Sequence, residues 1–379
     1  MKELSECRVL IVDDVPANID VLVQALRGDH QLSVALDGAA ALRTADKLLP
    51  DLVLLDIMMP GMDGYEVCRQ LRASPRTRDI PVMFLSSLED VQDKAKGFEA
   101  GGNDYLVKPF EILEVKARVR SLLKAKAYAD AVKEKIAYDL RIAREIQMGI
   151  LPPDVAAIAQ GTGLETHALL EPAQAVGGDL YEALRTPDGN LVLVLGDVSG
   201  KGIPAALFMA VTMTLIRAMA PDSHAPEEIV RRVSDALVSQ NPRNMFVTLL
   251  CGIYDPRSGK LTYAGAGHPA PVLVRGNQAQ FLSVEAALPV GVMSGLMVPS
   301  TSVDLQVGDL VVFYTDGVTE AFDAAGNLYG ESQLLEALAL QSGRAAAEAS
   351  AALLASVRTH AGNHPQSDDI AILTLRRTQ

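Results

Sequence analysis

The densest group of potentially reactive residues is the segment Gly196-Asp197-Val198-Ser199-Gly200-Lys201-Gly202. An apolar, strand-like run precedes it and an alanine-rich helical pattern follows, so a turn holds this carboxylate at the end of a strand. Three further segments place an aspartate beside a strand-like run, namely Gly177-Gly178-Asp179, Tyr314-Thr315-Asp316-Gly317 and Ser367-Asp368-Asp369. One Asp-Gly pair is typical of an ordinary turn, but several carboxylates at strand ends form a set of hard oxygen ligands for Mg²⁺ or Mn²⁺.

Polar residues also follow a series of apolar runs in the first third of the chain. The runs cover residues 9–12, 32–35, 52–55, 82–85 and 105–107 and alternate with amphipathic helical patterns. This alternation predicts an α/β doubly wound, five-stranded parallel domain over residues 1–122. The carboxyl ends of such strands form the functional crevice, and there the sequence places Asp13, Asp14, Asp56, Ser86 and Lys108.

The three carboxylates at this edge would repel one another unless a cation joined them, so a magnesium ion is predicted. A lysine and a hydroxyl opposite that ion suit a phosphoryl group. The segment resembles a response-regulator receiver domain over nearly all of residues 7–122. The motifs that carry the resemblance are Val12-Asp13-Asp14, residues 54–64 (LLDIMMPGMDG), Ser86 and Lys108-Pro109-Phe110.

The receiver resemblance implies a role for each of these residues. Asp56 is the expected phosphorylation site, and Asp13, Asp14 and the Met58 carbonyl complete the magnesium site. Ser86 and Tyr105 are the expected switch pair, Lys108 is expected to contact the phosphoryl group, and the Lys108-Pro109 bond is expected to be cis. The implied partner is a histidine kinase or a phosphotransfer protein.

Between residues 111 and 150 the sequence has no proline and no glycine before Gly149. Apolar residues recur mostly three or four apart, which predicts one long helix with an apolar seam. We assign residues 123–150 to a connector helix. Since a free helix of this length is poorly stable in water, the seam needs a partner. A parallel coiled coil between two copies of the chain is the preferred interpretation, and packing back onto either domain is the alternative.

Strand patterns dominate the remaining domain, residues 151–379. Predicted strands cover residues 191–195, 245–254, 260–266, 271–275, 310–314 and 370–375, with helices at 203–219, 226–240, 332–341 and 344–360. Successive helices between strands indicate α+β layers and not a second doubly wound sheet.

This domain resembles the bacterial PPM-type metal-dependent serine/threonine phosphatases, in the branch that includes sporulation and stress-response regulators of sigma factors. Besides the acidic segments, the residues that carry the resemblance are Arg144-Glu145-Ile146-Gln147, Leu151-Pro152, Ala266-Gly267-His268-Pro269 and Leu288-Pro289-Val290-Gly291. The resemblance implies a β-sandwich flanked by helices and a pair of manganese or magnesium ions. A water between two such ions can attack phosphorus without a cysteine or serine nucleophile.

The resemblance also implies the ligands. Asp197 would bridge the two ions, the Val198 carbonyl would bind one, and Asp316 and Asp368 would hold the other, while Asp179 would act through or on a bound water. Whether Asp368 or Asp369 is the ligand is a question of register, and Asp368 is preferred. Gly178, Glu182 and Asp369 are expected close behind the ligands. Glu182 stands where the family often has Asp, Lys201 where His is common, and Ala371 where a hydroxyl residue is usual.

Two other residues in these motifs have alternative interpretations. Ser199 is expected to serve the turn and not as a nucleophile. His268 could be an acid or base, but beside Gly267 and Pro269 a structural histidine is favoured.

Composition restricts the class of protein. The 379 residues carry a net charge of −13, with a pI near 5.0, which argues against binding to nucleic-acid phosphates. The three scattered cysteines suit reduced thiols of a cytoplasmic protein, and no signal-peptide pattern is present. The longest apolar stretch, Ile203 to Ile216, is expected to be too short to span a bilayer.

The sequence therefore favours a two-component response regulator whose Asp56 phosphorylation controls a phosphoserine or phosphothreonine protein phosphatase. Within the resembled branch, the implied substrate is an anti-sigma-factor antagonist. The competing class is a non-enzymatic adaptor that binds a sigma factor or its regulator. An adaptor has no need of Asp179, Asp197, Asp316 and Asp368, and this sequence has all four. A DNA-binding transcription factor is disfavoured by the acidic charge.

Overall fold

A computed structural model describes residues 3–87, 91–239, 241 and 243–379. The chain divides into two compact units, residues 1–138 and 139–379. The predicted helix end at residue 240 lies outside the described residues.

The first unit is built on a parallel sheet with the strand order β2-β1-β3-β4-β5. Apolar side chains on one face of the sheet pack with α2 and α3, and those on the other face pack with α1 and α5. The predicted doubly wound, five-stranded domain is therefore confirmed. The elements are β1 (Arg8–Val12), α1 (Pro16–Leu26), β2 (Gln31–Ala35), α2 (Gly38–Leu48), β3 (Leu52–Asp56), α3 (Gly64–Ala73), β4 (Val82–Ser86), α4 (Val91–Glu99), β5 (Asp104–Val107) and the first part of α5.

Helix α5 runs without a break from Ile112 to Ile150 over 39 residues, which confirms the long helix. No structural break occurs at the expected domain boundary of residues 122 and 123, because the last receiver helix and the connector are one element. Val115, Val119 and Leu123 are buried in the first unit, so the start of the helix packs on the receiver. Farther along, Val132 and Ile136 of the predicted seam are 40% and 54% exposed, so this part of the apolar seam faces solvent in the single chain.

The second unit is a sandwich of two five-stranded antiparallel sheets, with the strand orders β13-β10-β9-β8-β7 and β12-β11-β14-β15-β6. The elements are α6 (Val155–Ala159), β6 (Leu164–Glu171), β7 (Leu180–Arg185), β8 (Leu191–Val198), α7 (Ile203–Met219), α8 (Pro226–Val238), β9 (Val247–Asp255), β10 (Lys260–Ala266), β11 (Val272–Arg275), β12 (Gln278–Phe281), β13 (Ser300–Asp304), β14 (Leu310–Tyr314), α9 (Gly330–Ala339), α10 (Ala346–Ala361) and β15 (Ile370–Arg377).

Strand alternation explains the layers of this unit. In β8, Leu193 and Leu195 belong to the core between the sheets, whereas Val192 and Val194 pack with α7 and α8 on the outside. Helices α9 and α10 cover the other sheet. The predicted β-sandwich flanked by helices is confirmed. Among the strands absent from the prediction, β12 and β13 have few apolar residues and alternate between exposed and half-buried positions, so their patterns were weak.

Helix α7 with the short turn after it, Ile203–Asp222, is long and apolar enough to cross a membrane by length and composition alone. The sequence analysis expected the apolar stretch Ile203 to Ile216 to be too short to span a bilayer. The helical segment continues past Ile216 to Asp222, so by length this expectation is wrong. Its residues Met209, Met213 and Ile216 are buried in the core beneath the first sandwich sheet. The same apolar character therefore serves packing within this unit.

Candidate functional site

Asp13, Asp14 and Asp56 come together at the carboxyl edge of the receiver sheet, where β1 and β3 are neighbours. Each offers one oxygen, and these oxygens lie within 4.8 Å of one another. Asp13 and Asp56 are buried. A set of three carboxylates, two of them buried, fits a divalent cation with oxygen ligands.

Lys108 completes this group from the end of β5. Its ammonium lies 2.8 Å from Asp13 Oδ2 and 2.9 Å from Asp56 Oδ1, and the Lys108-Pro109 peptide bond is cis, as expected. Burial raises the pKa of Asp56, and the hydrogen bond from Lys108 opposes that rise. The lysine is therefore in place to meet a phosphoryl group on Asp56.

Asn18 is a member of this site that the sequence analysis did not identify. Its side-chain amide donates to Asp13 at 3.0 and 3.1 Å, and the Val15 backbone N–H donates to the same carboxylate at 2.9 Å. These bonds fix the orientation of Asp13. The sequence feature that could have identified Asn18 is its position as a polar residue in the first turn of α1, five positions after Asp13.

The expected switch residues lie on the two strands at the other side of the sheet. Ser86 is buried at the end of β4, and Tyr105 is buried on β5 with its ring against Phe84. The Tyr105 hydroxyl is 2.9 Å from the hydroxyl of Tyr65, a residue that sequence reasoning missed. The Met58 side chain is 62% exposed, and its backbone hydrogen-bonds to Asp56.

The second acidic group forms where strands of both sandwich sheets end or begin. Asp197 lies near the end of β8, Asp316 follows β14, and Asp368 precedes β15. Asp179 directly precedes β7, which pairs with β8 through Leu180 and Gly196. The fold thus gathers the four predicted carboxylates from distant parts of the sequence.

Asp179 and Asp197 share a hydrogen bond. Asp179 is buried, and the Thr315 hydroxyl donates to its Oδ2 at 2.8 Å. Burial raises the pKa of Asp179 well above its usual range, and the charge of Asp197 adds to that rise. Burial also raises the pKa of Asp197 to about 7, with further contributions from Asp316 and Asp368. Such a site favours positive charge, which a divalent cation supplies.

The backbone around Gly178 is packed against these ligands. A Cβ atom at Gly178 would lie 2.7 Å from the Val198 carbonyl oxygen and 3.4 Å from Asp197 Oδ1. The glycine therefore leaves space beside two of the predicted metal ligands. Carboxylate and carbonyl oxygens around that space are the donor set that Mg²⁺ and Mn²⁺ prefer.

Asp369 and Asp368 have different surroundings. Asp369 is buried and accepts backbone N–H bonds from Ala173 at 2.7 Å and Gly178 at 2.6 Å, one on each oxygen. It therefore holds the glycine loop. Asp368 is one-third exposed, and its Oδ2 lies 2.9 Å from the Lys201 ammonium. These contacts favour Asp368 over Asp369 as the ligand.

Glu182, which is expected close behind the ligands, has its side-chain partner on α7. Its carboxylate is buried and accepts from Arg217 Nε of α7 at 2.5 Å. The Arg217 guanidinium also donates to the carbonyl oxygen of Ile150, the last residue of α5. The Glu182 carboxylate thus contributes to the contact between β7, α7 and the end of α5.

Gln147 connects the end of α5 to the acidic site. Its buried side-chain amide donates to the Gly177 carbonyl oxygen at 2.6 Å and accepts from the Gly177 N–H at 3.2 Å. Gly177 precedes Gly178 and Asp179. The last turn of the connector helix is therefore hydrogen-bonded to the loop that carries a predicted catalytic residue.

Ser199 and His268 have structural contacts, as favoured. Ser199 Oγ accepts from the Phe246 N–H at 2.9 Å, which fastens the turn after β8. His268 is buried with Nδ1 2.9 Å from the Thr248 hydroxyl, and burial lowers its pKa to about 3. It therefore stays neutral at physiological pH.

The two acidic groups differ in spacing. Within the described part of the chain, the receiver carboxylates alone bring three ligand oxygens within 4.8 Å of one another. Among the described residues, the carboxylates of the second unit do not form such a set, although Asp179 and Asp197 share a hydrogen bond.

Comparison with known proteins identifies both units. A family model described as Stage II sporulation protein E (SpoIIE) matches residues 187–378, just over half of the 379-residue chain, and one described as Response regulator receiver domain matches residues 9–120. The PP2C domain of SiaA from Pseudomonas aeruginosa is similar in structure, with a TM-score of 0.59 and 26% sequence identity. That similarity covers 65% of this chain and 98% of the SiaA domain.

Curated relatives share a smaller part of the chain. It is 43% identical to the response regulator PleD of Caulobacter vibrioides over 136 residues, which cover 36% of this chain and 30% of PleD. It is 45% identical to the DNA-binding dual master transcriptional regulator RpaA of Synechocystis over 118 residues, 31% of this chain and 49% of RpaA. The chain thus matches less than half the length of these relatives. It belongs to the SpoIIE family and joins a response-regulator receiver domain to a PP2C-type protein serine/threonine phosphatase domain.

Proposed function

We propose that the protein is a response regulator in which phosphorylation of Asp56 controls the hydrolysis of phosphoserine or phosphothreonine in a partner protein. The observation that carries the proposal is the hydrogen-bonded pair between Gln147 and Gly177. It joins the helix that begins in the receiver unit to the loop of Asp179, so a movement of that helix changes the acidic site.

The receiver would hold Mg²⁺ through Asp13, Asp14, Asp56 and the Met58 carbonyl. Lys108 already contacts two of these carboxylates and would move its ammonium to the phosphoryl oxygens. Ser86 on β4 and Tyr105 on β5 would be the switch pair that responds to phosphorylation of Asp56. A histidine kinase or phosphotransfer protein would supply the phosphoryl group.

In the phosphatase unit, two Mn²⁺ or Mg²⁺ ions would supply a nucleophilic water and neutralise phosphoryl charge. Asp197 would hold both ions, with Asp316 and Asp368 on one side and the Val198 carbonyl on the other. Thr315 holds the Asp179 carboxyl in position through its 2.8 Å hydrogen bond. Asp369 holds the Gly178 backbone close to the ligands, which keeps the loop geometry fixed.

A homodimer through the connector helix is part of the proposal. Val132 and Ile136 lie one turn apart on α5 and are 40% and 54% exposed, and a second helix would bury them. The first part of α5 already packs on the receiver, so the pairing would involve the later turns.

The proposed substrate is a phosphorylated anti-sigma-factor antagonist, in a cytoplasmic setting that suits the three buried cysteine thiols. This substrate class is the one that the resemblance of the sequence implies. The competing function is a non-enzymatic adaptor for a sigma factor or its regulator. The retained carboxylates at Asp179, Asp197, Asp316 and Asp368 favour the enzyme.

The testing experiment is turnover of a small phosphoester by the full chain, with Mn²⁺ or with a chelator, before and after treatment with acetyl phosphate. We expect turnover that requires the metal and changes with the phosphodonor. If the folded protein shows no turnover in any condition, co-precipitation with a sigma factor and with a phosphorylated antagonist separates the adaptor from an enzyme that needs its protein substrate.

A further inference from the structure

Lys201 lies between two glycines whose backbones are left-handed, Gly200 at φ +89° and Gly202 at φ +74°. Such angles suit glycine and set the direction of the residue between them. The Lys201 side chain leaves this turn and reaches the loop before β15. Its ammonium lies 2.9 Å from Asp368 Oδ2 and donates to the Ser367 carbonyl oxygen at 2.5 Å.

This contact uses an oxygen that a metal ion would need. Asp368 is a ligand in the proposed function, and a carboxylate oxygen that accepts an ammonium N–H offers less electron density to a cation. The ammonium charge would also repel a dication held by Asp316 and Asp368. Lys201 and the metal ion therefore compete for the same carboxylate.

The competition is expected to be modest and reversible. The Lys201 side chain is 46% exposed and that of Asp368 is 33% exposed, so water can solvate both groups when they separate. Ion pairs with this exposure contribute little to stability. An incoming dication can consequently displace the lysine without unfolding the loop.

We propose that Lys201 is a displaceable counter-ion that weakens metal binding at the Asp316–Asp368 position. The inference rests on the proposed function, since it takes Asp368 as a metal ligand. The phosphatase unit would then have two metal positions of unequal affinity. The affinity of the weaker position is lowered by Lys201, in the turn after β8.

The test is calorimetric titration of Mn²⁺ into the full chain, in an Asp14→Asn background that weakens the receiver site. Lys201→Met retains side-chain length and removes the charge. We expect the weaker Mn²⁺ dissociation constant to fall by about fivefold, the upper range for an exposed ion pair. Lys260→Met is the matched control, because Lys260 is an exposed lysine of β10 in the same unit.

A double substitution localises the effect. In an Asp368→Asn background, Lys201→Met should change Mn²⁺ affinity by less than about twofold, because the competing carboxylate is lost. Equal or weaker Mn²⁺ binding by Lys201→Met alone would overturn the inference, and a raised KM with unchanged affinity would instead place Lys201 on the substrate. If even the unsubstituted phosphatase unit bound no Mn²⁺, the proposed function itself would be contradicted, and this inference with it.

Discussion

The two acidic sites of this chain both contain a lysine, and the two lysines have different surroundings. In the receiver, the Lys108 side chain is 18% exposed and bridges Asp13 and Asp56. In the phosphatase unit, the Lys201 side chain is 46% exposed and pairs with Asp368. Lys108 is held by two buried carboxylates, whereas Lys201 is held by one partly exposed carboxylate and the Ser367 carbonyl oxygen, from which we infer that a dication can displace it.

The sites also differ in how the fold assembles them. The receiver carboxylates stand at the ends of neighbouring parallel strands, and the nearby Asn18 fixes the orientation of Asp13. The phosphatase carboxylates come from both sandwich sheets, and Thr315 and Asp369 support them from distant parts of the sequence. The second site therefore relies on contacts between residues that lie farther apart in the chain.

The largest expected effect tests the central position of Asp197. Asp197→Asn should lower Mn²⁺-dependent kcat by roughly 10³-fold, because an amide replaces the carboxylate that both ions would share. Phosphoester turnover with a circular-dichroism check of folding measures this. Asp304→Asn, at an exposed position of β13, is the control. Retained turnover in Asp197→Asn would refute the two-metal interpretation.

The next prediction separates the two sites. Asp56→Asn should abolish the change in turnover on treatment with acetyl phosphate, while Mn²⁺-dependent turnover itself persists, because the phosphorylation site is lost and the second site is intact. The ratio of turnover with and without phosphodonor is the measurement. Asp20→Asn on the exposed face of α1 should leave the ratio unchanged. A normal response in Asp56→Asn would locate control elsewhere.

A third prediction concerns the space beside Val198. Gly178→Ala should weaken Mn²⁺ binding by about tenfold, because its Cβ would lie 2.7 Å from the Val198 carbonyl oxygen and the ligand would have to move. Calorimetric titration measures the affinity. Gly149→Ala is the control, since a Cβ at that helical position meets nothing within 4 Å. Similar affinities for both variants would remove Gly178 from the metal site.

The smallest expected effect, a several-fold change, tests the contact between helix and loop. Gln147→Met should bring the turnover ratio with and without phosphodonor closer to one, because methionine cannot bond to Gly177. Losing these buried bonds should also lower stability by about 1–3 kcal/mol, so urea unfolding must accompany the assay. Glu145→Gln, at an exposed position of the same turn, is the control. An unchanged ratio in a stable Gln147→Met protein would contradict the proposed connection.

Much of the fold was predictable because its signals are local. Apolar runs placed β10 and β14 at the observed residues, and α7 matched its predicted limits of 203 and 219. Strands β12 and β13 were missed because their exposed faces leave weak apolar patterns. The pair between Glu182 and Arg217 was not predicted, because the two residues are 35 positions apart and no local pattern links them.

The carboxylates of both sites were predictable from motifs, but their supporting contacts were not. Asn18, Tyr65 and Thr315 bond to residues whose separation in sequence ranges from 5 to 136 positions. The periodicity of apolar residues in the sequence does not indicate side-chain hydrogen bonds of this kind. The preference for Asp368 over Asp369 stays a prediction, although the backbone bonds to Asp369 support it.

The unbroken helix α5 has a mechanical consequence. At a rise of 1.5 Å per residue, its 39 residues form a rod of about 58 Å. Residues near its start are buried in the receiver, and its last carbonyl is tied to Arg217. In the proposed function, a rotation of the start of α5 by the phosphorylated receiver would therefore be carried along a continuous helix to Gln147.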